Sequence, residues 1–142
     1  MHTLTKFEQD QISDYYTLKL VDAWKEHGKI IICVDFDNTL LPYYDFEEDL
    51  CKTVIDTLHE AIALGARLIL YTCRDGQDLN DAIEYCNSKG LNFEQINNHI
   101  ITLPSQSTKP YCNIMLDDKA GLVSALYILQ AAIRRYRWIK NN

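Results

Sequence analysis

The sequence has little that would place the protein in or across a membrane. No apolar stretch approaches the roughly 18 to 20 residues that a bilayer crossing needs, and the opening residues 1–6 lack the charged-then-apolar order of a signal peptide. Its five cysteines form an odd set without a C-x-x-C pair, and its four histidines are scattered, which gives a zinc site little support. These absences predict a cytoplasmic protein with reduced thiols.

The composition bounds the number of domains and the kinds of partner. With 142 residues and a hydrophobic share of 47%, the chain is long enough for one packed domain, residues 1–142, without disulfide or metal staples. The net charge of −6 argues against wholesale binding to nucleic acid or to anionic membranes. Nucleic acid is therefore possible as a partner but not favoured, and no membrane partner is expected.

Apolar residues alternate between helical and strand-like spacing along the whole chain. An extension of residues 1–28 contains a helix over 8–27, with Ile12, Tyr16, Leu20 and Trp24 as its inward stripe and Gly28 at its end. Strands are predicted over 30–34, 66–71, 92–96 and 111–116, and helices over 46–62, 77–88 and 119–140, with a polar loop over 97–110. This alternation predicts an α/β fold with a parallel sheet in three layers, α/β/α.

Two carboxylates follow the first predicted strand. Asp35 and Asp37 share one side if the extended backbone persists, because alternate residues of a strand point the same way, and Phe36 is turned away. Two neighbouring carboxylates repel each other unless a cation lies between them or one holds a proton. Taken alone the pair is equally compatible with an Asp-rich turn.

Two other predicted strands also end in polar residues. Thr72 follows the strand over 66–71, and Asp117-Asp118 follows the strand over 111–116. The carboxyl ends of parallel strands are where open α/β sheets bind their ligands. The sequence therefore predicts one site built from three strand ends.

These residues occur in the order of a known set of motifs. Asp35-Phe-Asp37-Asn-Thr39-Leu, then Thr72, Lys109 and Asp117-Asp118, resemble the four motifs of the haloacid dehalogenase (HAD) superfamily, over about residues 29–125. The resemblance implies a Rossmann-like, HAD-like core and a Mg²⁺-dependent phosphatase. The two gaps in which this superfamily inserts a cap domain are short here, so we expect a capless protein with an open site.

The resemblance and the chemistry of phosphoryl transfer assign roles to the acids. Asp35 is the expected nucleophile, which forms an aspartyl-phosphate, and Asp37 is the expected proton donor and acceptor, which requires a raised pKa. An all-oxygen ligand set suits Mg²⁺, and the resemblance implies that Asp35, the Asp37 backbone carbonyl and Asp117 hold it, with Asp118 bracing the site. The alternative role for Asp117-Asp118 is a helix N-cap.

Three further residues are expected to bind the substrate phosphate. Thr72 offers a hydroxyl to a phosphate oxygen, with a turn residue as the alternative. Lys109 is the expected site lysine, which holds both Asp35 and the phosphate, and Lys119 is its competitor. Arg74 is a candidate for a bidentate clamp on a phosphate or carboxylate, or else forms a surface salt bridge to Asp75 or Asp78.

The sequence thus predicts a phosphatase that acts on a small phosphorylated molecule or on an exposed phosphate of a larger one. One alternative is a phospho-accepting domain similar to a response-regulator receiver, although the chain order of the acids argues against it. A second alternative is a nucleic-acid end-processing phosphatase, suggested by the basic run over residues 134–140. Cations at a helix C-terminus are also explained by the helix dipole.

Overall fold

The computed structural model describes residues 1–101 and 108–142. The helices are α1 (Lys6–His27), α2 (Glu48–Ala63), α3 (Gly76–Ser88) and α4 (Leu122–Asn141), and a 3-10 turn over Asp45–Glu47 precedes α2. The strands are β1 (Ile31–Val34), β2 (Arg67–Leu70), β3 (Gln95–Ile96) and β4 (Ile114–Leu116). None of the helices in these ranges has both the length and the apolar character that a membrane span requires.

The four strands form one parallel sheet in the order β3-β2-β1-β4. In this register Val34 of β1 lies opposite Leu70 of β2 on one side and Leu116 of β4 on the other. The carboxyl ends of the three strands are therefore level, and the residues that follow them meet at one edge. The predicted α/β class, a Rossmann-like parallel sheet flanked by helices, is confirmed.

The two faces of the sheet bury different partners, because alternate residues of a strand point to opposite faces. Ile30, Ile32 and Val34 belong to the main core, which also contains the buried side chains of all four helices. The opposite face presents Ile31, Cys33 and Ile69. There, within the described residues, the packing partners are Ile100, Cys112 and Met115, from segments on either side of residues 102–107.

Helix α1 begins and ends with strong local signals. Thr5 and Glu8 form a capping box at its start, and Gly28 ends it with a φ of 70°. The C-terminal half is anchored in the core by Trp24, whose indole N–H donates to the Leu64 carbonyl at 2.9 Å. The predicted inward stripe is correct only in this half.

The N-terminal part of that stripe is exposed. Leu20 and Trp24 are buried as expected, but Ile12 and Tyr16 are 44% and 50% exposed. The prediction is wrong for these two residues because α1 packs chiefly against α4, and residues 6–16 contain no buried side chain.

The closing helix starts later than predicted. Helix α4 begins at Leu122 instead of residue 119, and Gly121, with a φ of 73°, is its N-cap residue. The N-cap role considered for Asp117-Asp118 is therefore wrong, since a turn separates both aspartates from the helix. Part of the predicted loop over 97–110 falls on residues 102–107, which lie outside the described residues.

Candidate active site

A cleft of about 440 Å³ lies at the carboxyl edge of the sheet. The residues that line it come from the ends of β1, β2, β3 and β4, as the topology requires. They are Asp35, Asp37, Asn38, Tyr71, Thr72, Cys73, Asn97, Asp117, Asp118 and Lys119. Five of the seven predicted site residues, Asp35, Asp37, Thr72, Asp117 and Asp118, are therefore brought to one place.

Three carboxylates cluster where β1 and β4 end. The backbone N–H of Asp35 donates to the Leu116 carbonyl at 2.9 Å, which sets Asp35 beside Asp117 and Asp118. One carboxylate oxygen from each of the three lies within 4.8 Å of the other two. Burial, the hydrogen bond to Asp118 and the negative charge of Asp117 raise the pKa of Asp35 from 3.8 to about 7.

This cluster is the group of described residues that could hold a metal ion. All its donors are carboxylate oxygens, the type that Mg²⁺ prefers, and the partial exposure of Asp118 leaves room for water ligands. Asp118, expected to brace the site from behind, lies in the cluster beside Asp35 and Asp117. The side chain of Asp37 points elsewhere, so its predicted part through the backbone carbonyl stays a prediction.

Thr39 links the two halves of the acidic cluster. Its side chain is fully buried, and its hydroxyl donates to Asp35 Oδ2 at 3.3 Å and accepts from the backbone N–H of Asp118 at 3.1 Å. One hydroxyl thus fixes a carboxylate after β1 and the backbone after β4. Thr39 was not predicted to have a role, although its place four residues after Asp35 in the turn was the available signal.

Asp37 is held by an arginine. Arg74 Nε lies 3.2 and 3.1 Å from the two carboxylate oxygens of Asp37, and Nη2 lies 2.7 Å from Oδ1. The Tyr43 hydroxyl donates to the same Oδ1 at 2.5 Å. Hydrogen bonds from Arg74, with a smaller one from Tyr43, lower the pKa of Asp37, so its carboxylate is ionised, the opposite of what a proton donor requires.

The position of Arg74 is fixed by its surroundings. Its guanidinium lies over the ring of Phe36, 4.8 Å from the centroid, and Nη1 donates to the Asp78 carbonyl at 3.3 Å. Phe36 is buried and turned away from the cleft, as the alternation predicted. The acidic partner of Arg74 is Asp37, whereas the sequence suggested Asp75 or the carboxylate of Asp78.

Thr72 follows β2 and is held from two sides. Its backbone N–H donates to Asn97 Oδ1, and its carbonyl accepts from Asn97 Nδ2, both at 2.8 Å. Its hydroxyl accepts from the backbone N–H of Arg74 at 3.1 Å, as a turn residue would, while the side chain still lines the cleft. Asn97, with a φ of 53°, was missed because the strand before it is only two residues long.

The two candidate lysines differ in position. Lys119 lines the cleft, in the turn that follows the acidic pair. Lys109 is exposed and is not among the residues that line the cleft in the described ranges. The pKa of Cys112 is lowered chiefly by its hydrogen bond with Cys33, and the positive charge of Lys109 adds a smaller effect. The structure therefore brings Lys119 to the cleft wall, and a phosphate-binding role for either lysine stays a prediction.

Comparison with known proteins supports the fold of this chain but does not indicate an activity. No protein-family model matches the chain. A search of curated proteins finds no match either. A solved structure of a conserved protein from Bacteroides thetaiotaomicron is 28% identical over 80% of this chain and 91% of that one, with a TM-score of 0.52. That likeness supports the Rossmann-like α/β fold and assigns no function.

Proposed function

We propose that this chain is a Mg²⁺-dependent phosphomonoesterase that acts through an aspartyl-phosphate. The observation that carries the proposal is the cluster of Asp35, Asp117 and Asp118, with the Thr72 side chain lining the same cleft. A phosphate dianion needs a nucleophile in line with its leaving oxygen and positive charge on its other oxygens. The cluster supplies the nucleophile, and a cation held by these carboxylates supplies much of the charge.

In the first step a carboxylate oxygen of Asp35 attacks phosphorus, and the bond between phosphorus and the ester oxygen breaks. The departing oxygen takes a proton from Asp37. In the second step Asp37 accepts a proton from water, which attacks phosphorus and releases inorganic phosphate and free Asp35. When bound, Mg²⁺ neutralises charge on the phosphate and keeps Asp35 ionised, and Asp35, Asp117 and Asp118 are the residues that would hold it.

Once a substrate is bound, Arg74 can pair with either of two anions, the Asp37 carboxylate or the substrate phosphate. In the absence of substrate, Arg74 keeps Asp37 ionised. A phosphate dianion in the cleft competes for the same guanidinium, because arginine binds phosphate as well as carboxylate through paired N–H groups. When Arg74 leaves Asp37 and binds the phosphate, the interaction that lowers the pKa of Asp37 is lost, and Asp37 can carry a proton. The phosphate clamp expected from the sequence would thus also prepare Asp37 to act as the acid.

The remaining polar groups of the cleft are suited to phosphate oxygens. Thr72 supplies a hydroxyl and Lys119 an ammonium group. Tyr71 is 39% exposed on the cleft wall and offers a ring to the organic part of the substrate. We propose a small phosphorylated molecule or an exposed phosphate on a larger one as substrate, and the cytoplasm as the location.

The test is phosphate release from an aryl phosphate by the wild-type protein with Mg²⁺ and with EDTA. Asp35→Asn should abolish release, and Asp22→Asn, on the exposed side of α1, is the matched control and should leave it unchanged. Circular dichroism checks that both variants are folded. Release by Asp35→Asn at the wild-type rate would refute the proposed nucleophile.

The ionised state of Asp37 favours one alternative, a phospho-accepting domain, because a carboxylate that is not protonated assists transfer poorly. The two functions differ in the lifetime of the phosphorylated protein. After treatment with acetyl phosphate, a phosphatase loses the label within its turnover time. A label that persists for hours without release of phosphate would favour the phospho-acceptor.

The nucleic-acid alternative has less support from the structure. In the basic run of α4, Arg137 pairs with Glu60 at 3.3 Å and Lys140 lies over the ring of Tyr136. Both cations thus have partners within the protein. A steep salt dependence of binding to a labelled oligonucleotide would revive this alternative.

A further inference from the structure

Helix α1 carries a second apolar face that the rest of the described chain does not cover. Its large apolar residues are Phe7, Ile12, Tyr15, Tyr16 and Leu18, each between 44% and 69% exposed, and we call them the outer face of α1. At 100° per residue they occupy the half of the helix turned away from the buried side chains of Leu20, Val21 and Trp24. The outer half thus exposes five large apolar side chains, with the charged Glu8 and Lys19 among them.

Within the described residues, the first turns of α1 have no buried side chain to hold them in place. Residues 6–16 contain no buried side chain, although they form three regular helical turns. Local support comes from the Thr5–Glu8 capping box and the Lys6–Asp10 ion pair at 2.6 Å. A segment of this length is marginal as an isolated helix, so the N-terminal turns of α1 depend on the anchored C-terminal half, and a partner on the outer face would stabilise them further.

The charges around the outer face indicate which partner fits. Glu8 lies near the middle of the outer face and Asp14 at its edge, and both would be repelled by an anionic lipid surface. Glu8 and Lys19 are three turns apart on the same side of the helix. An antiparallel second α1 therefore sets each Glu8 opposite a Lys19, which is favourable electrostatic pairing.

The same arrangement also matches the apolar residues. A two-fold axis between Ser13 and Asp14 that pairs Glu8 with Lys19 sets Ile12 of each copy opposite Tyr15 of the other. Tyr16 additionally forms one wall of a cavity of about 450 Å³ between α1, α4 and the outer edge of β4. The outer face thus continues into a groove that an adjoining chain can enter.

We propose that the outer face of α1 is a homodimer interface in which two copies of this helix pack antiparallel. The contact is isologous, as a two-fold dimer requires. None of the residues that line the active-site cleft belongs to α1, so the interface is separate from the proposed chemistry.

Sedimentation equilibrium of the full chain, from micromolar to sub-millimolar concentration, tests the proposal. The wild type should dimerise reversibly, and Ile12→Glu with Tyr15→Glu should raise the dissociation constant at least about tenfold. Trp138→Glu, which replaces a side chain of α4 that is 66% exposed, is the matched control and should dimerise as the wild type does. A wild type that stays monomeric throughout, or a double variant that dimerises equally well, would overturn the proposal.

The antiparallel register has its own test. Glu8→Lys alone and Lys19→Glu alone place like charges across the interface and should each weaken dimerisation. In a heterodimer of the two variant chains, residues 8 and 19 carry opposite charges at both ends of the interface. Heterodimers should therefore form in preference to either homodimer. Glu8→Lys also removes the capping box, but this preference does not depend on it. Absence of this preference would refute the register.

A lipid surface is the competing partner. Vesicles of phosphatidylserine and phosphatidylcholine should not co-sediment with the protein. Binding to vesicles that is lost in the double variant, with no dimer in solution, would assign the outer face to a membrane surface and overturn the proposed dimer.

Discussion

Arg74 holds Asp37 through three hydrogen bonds of 2.7 to 3.2 Å, while Asp35, two residues earlier, lies among carboxylates. The two aspartates of one turn therefore have opposite electrostatic environments. Asp35 has a pKa raised to about 7, and the pKa of Asp37 is lowered. Transfer of a phosphoryl group needs the reverse, an ionised Asp35 and a protonated Asp37. In the proposed mechanism, a cation beside Asp35 and a phosphate that binds Arg74 would together reverse both pKa shifts.

The pairing of Arg74 with Asp37 should contribute measurably to stability. The two side chains are only 23% and 30% exposed, and the contact is bidentate, which sets it apart from an ordinary surface ion pair. A double-mutant cycle with Arg74→Ala and Asp37→Asn, followed by urea unfolding, should give a coupling free energy of about 1–2 kcal/mol. The Lys52–Asp56 pair, 75% and 57% exposed, is the control and should give about 0.5 kcal/mol or less. Equal coupling free energies in the two cycles would show that the Arg74–Asp37 pair is no stronger than an exposed surface ion pair.

The acidic cluster should make stability depend on pH in the absence of metal. The pKa of Asp35 is raised above its unfolded value, so the folded protein binds this proton more tightly than the unfolded chain does. Its stabilising contribution is full below about pH 4 and is lost as the pH rises through about 7. In urea unfolding with EDTA, the free energy of unfolding of the wild type should fall as the pH rises across this range. The fall should be smaller in Asp117→Asn, because the variant removes one of the charges that repel ionised Asp35. The same slope in both proteins would show that Asp117 does not act on Asp35.

Mg²⁺ should stabilise the protein through the residues of the cluster. A cation that binds only the folded state raises the melting temperature, and the rise depends on its affinity. We expect the Mg²⁺-induced shift to disappear in Asp35→Asn and Asp117→Asn and to fall clearly in Asp118→Asn. Asp37→Asn should keep most of it, because the Asp37 side chain is bound to Arg74 and the expected metal contact is its backbone carbonyl. A larger loss in Asp37→Asn than in Asp118→Asn would reverse this assignment.

The strand-end acids could be predicted because their signal is local. An apolar strand followed by Asp35 and Asp37, and another followed by Asp117 and Asp118, fixes which residues lie at the carboxyl edge once the sheet is parallel. The order of the strands could not be predicted, and it is the pairing of β1 with β4 that brings Asp35 beside Asp117. The same reasoning placed Thr72 in the cleft.

The partners of these residues could not be predicted in the same way. Arg74 reaches Asp37 across 37 positions of sequence, and Asn97 reaches Thr72 across 25, so both contacts depend on how loops pack after the sheet has formed. Similarly, spacing alone made Ile12 and Tyr16 part of an inward stripe. The position of α4 against α1 determines which residues of that stripe are buried.

The junction between α1 and β1 depends on Gly65, which offers a final test of the packing. A Cβ at this position would lie 2.7 Å from the Gly28 carbonyl oxygen, and the φ of 97° is also unfavourable for any other residue. Gly65→Ala should therefore destabilise the protein by about 2–4 kcal/mol in urea unfolding, because backbone strain and a backbone clash add together. Gly121→Ala is the matched control, since its φ is also positive, at 73°, but no atom lies within 4 Å of the added carbon. It should lose only the conformational part, about 1–2 kcal/mol. Equal losses in the two variants would show that the chain at Gly28 moves aside freely and that the close approach of the two glycines is not required by the fold.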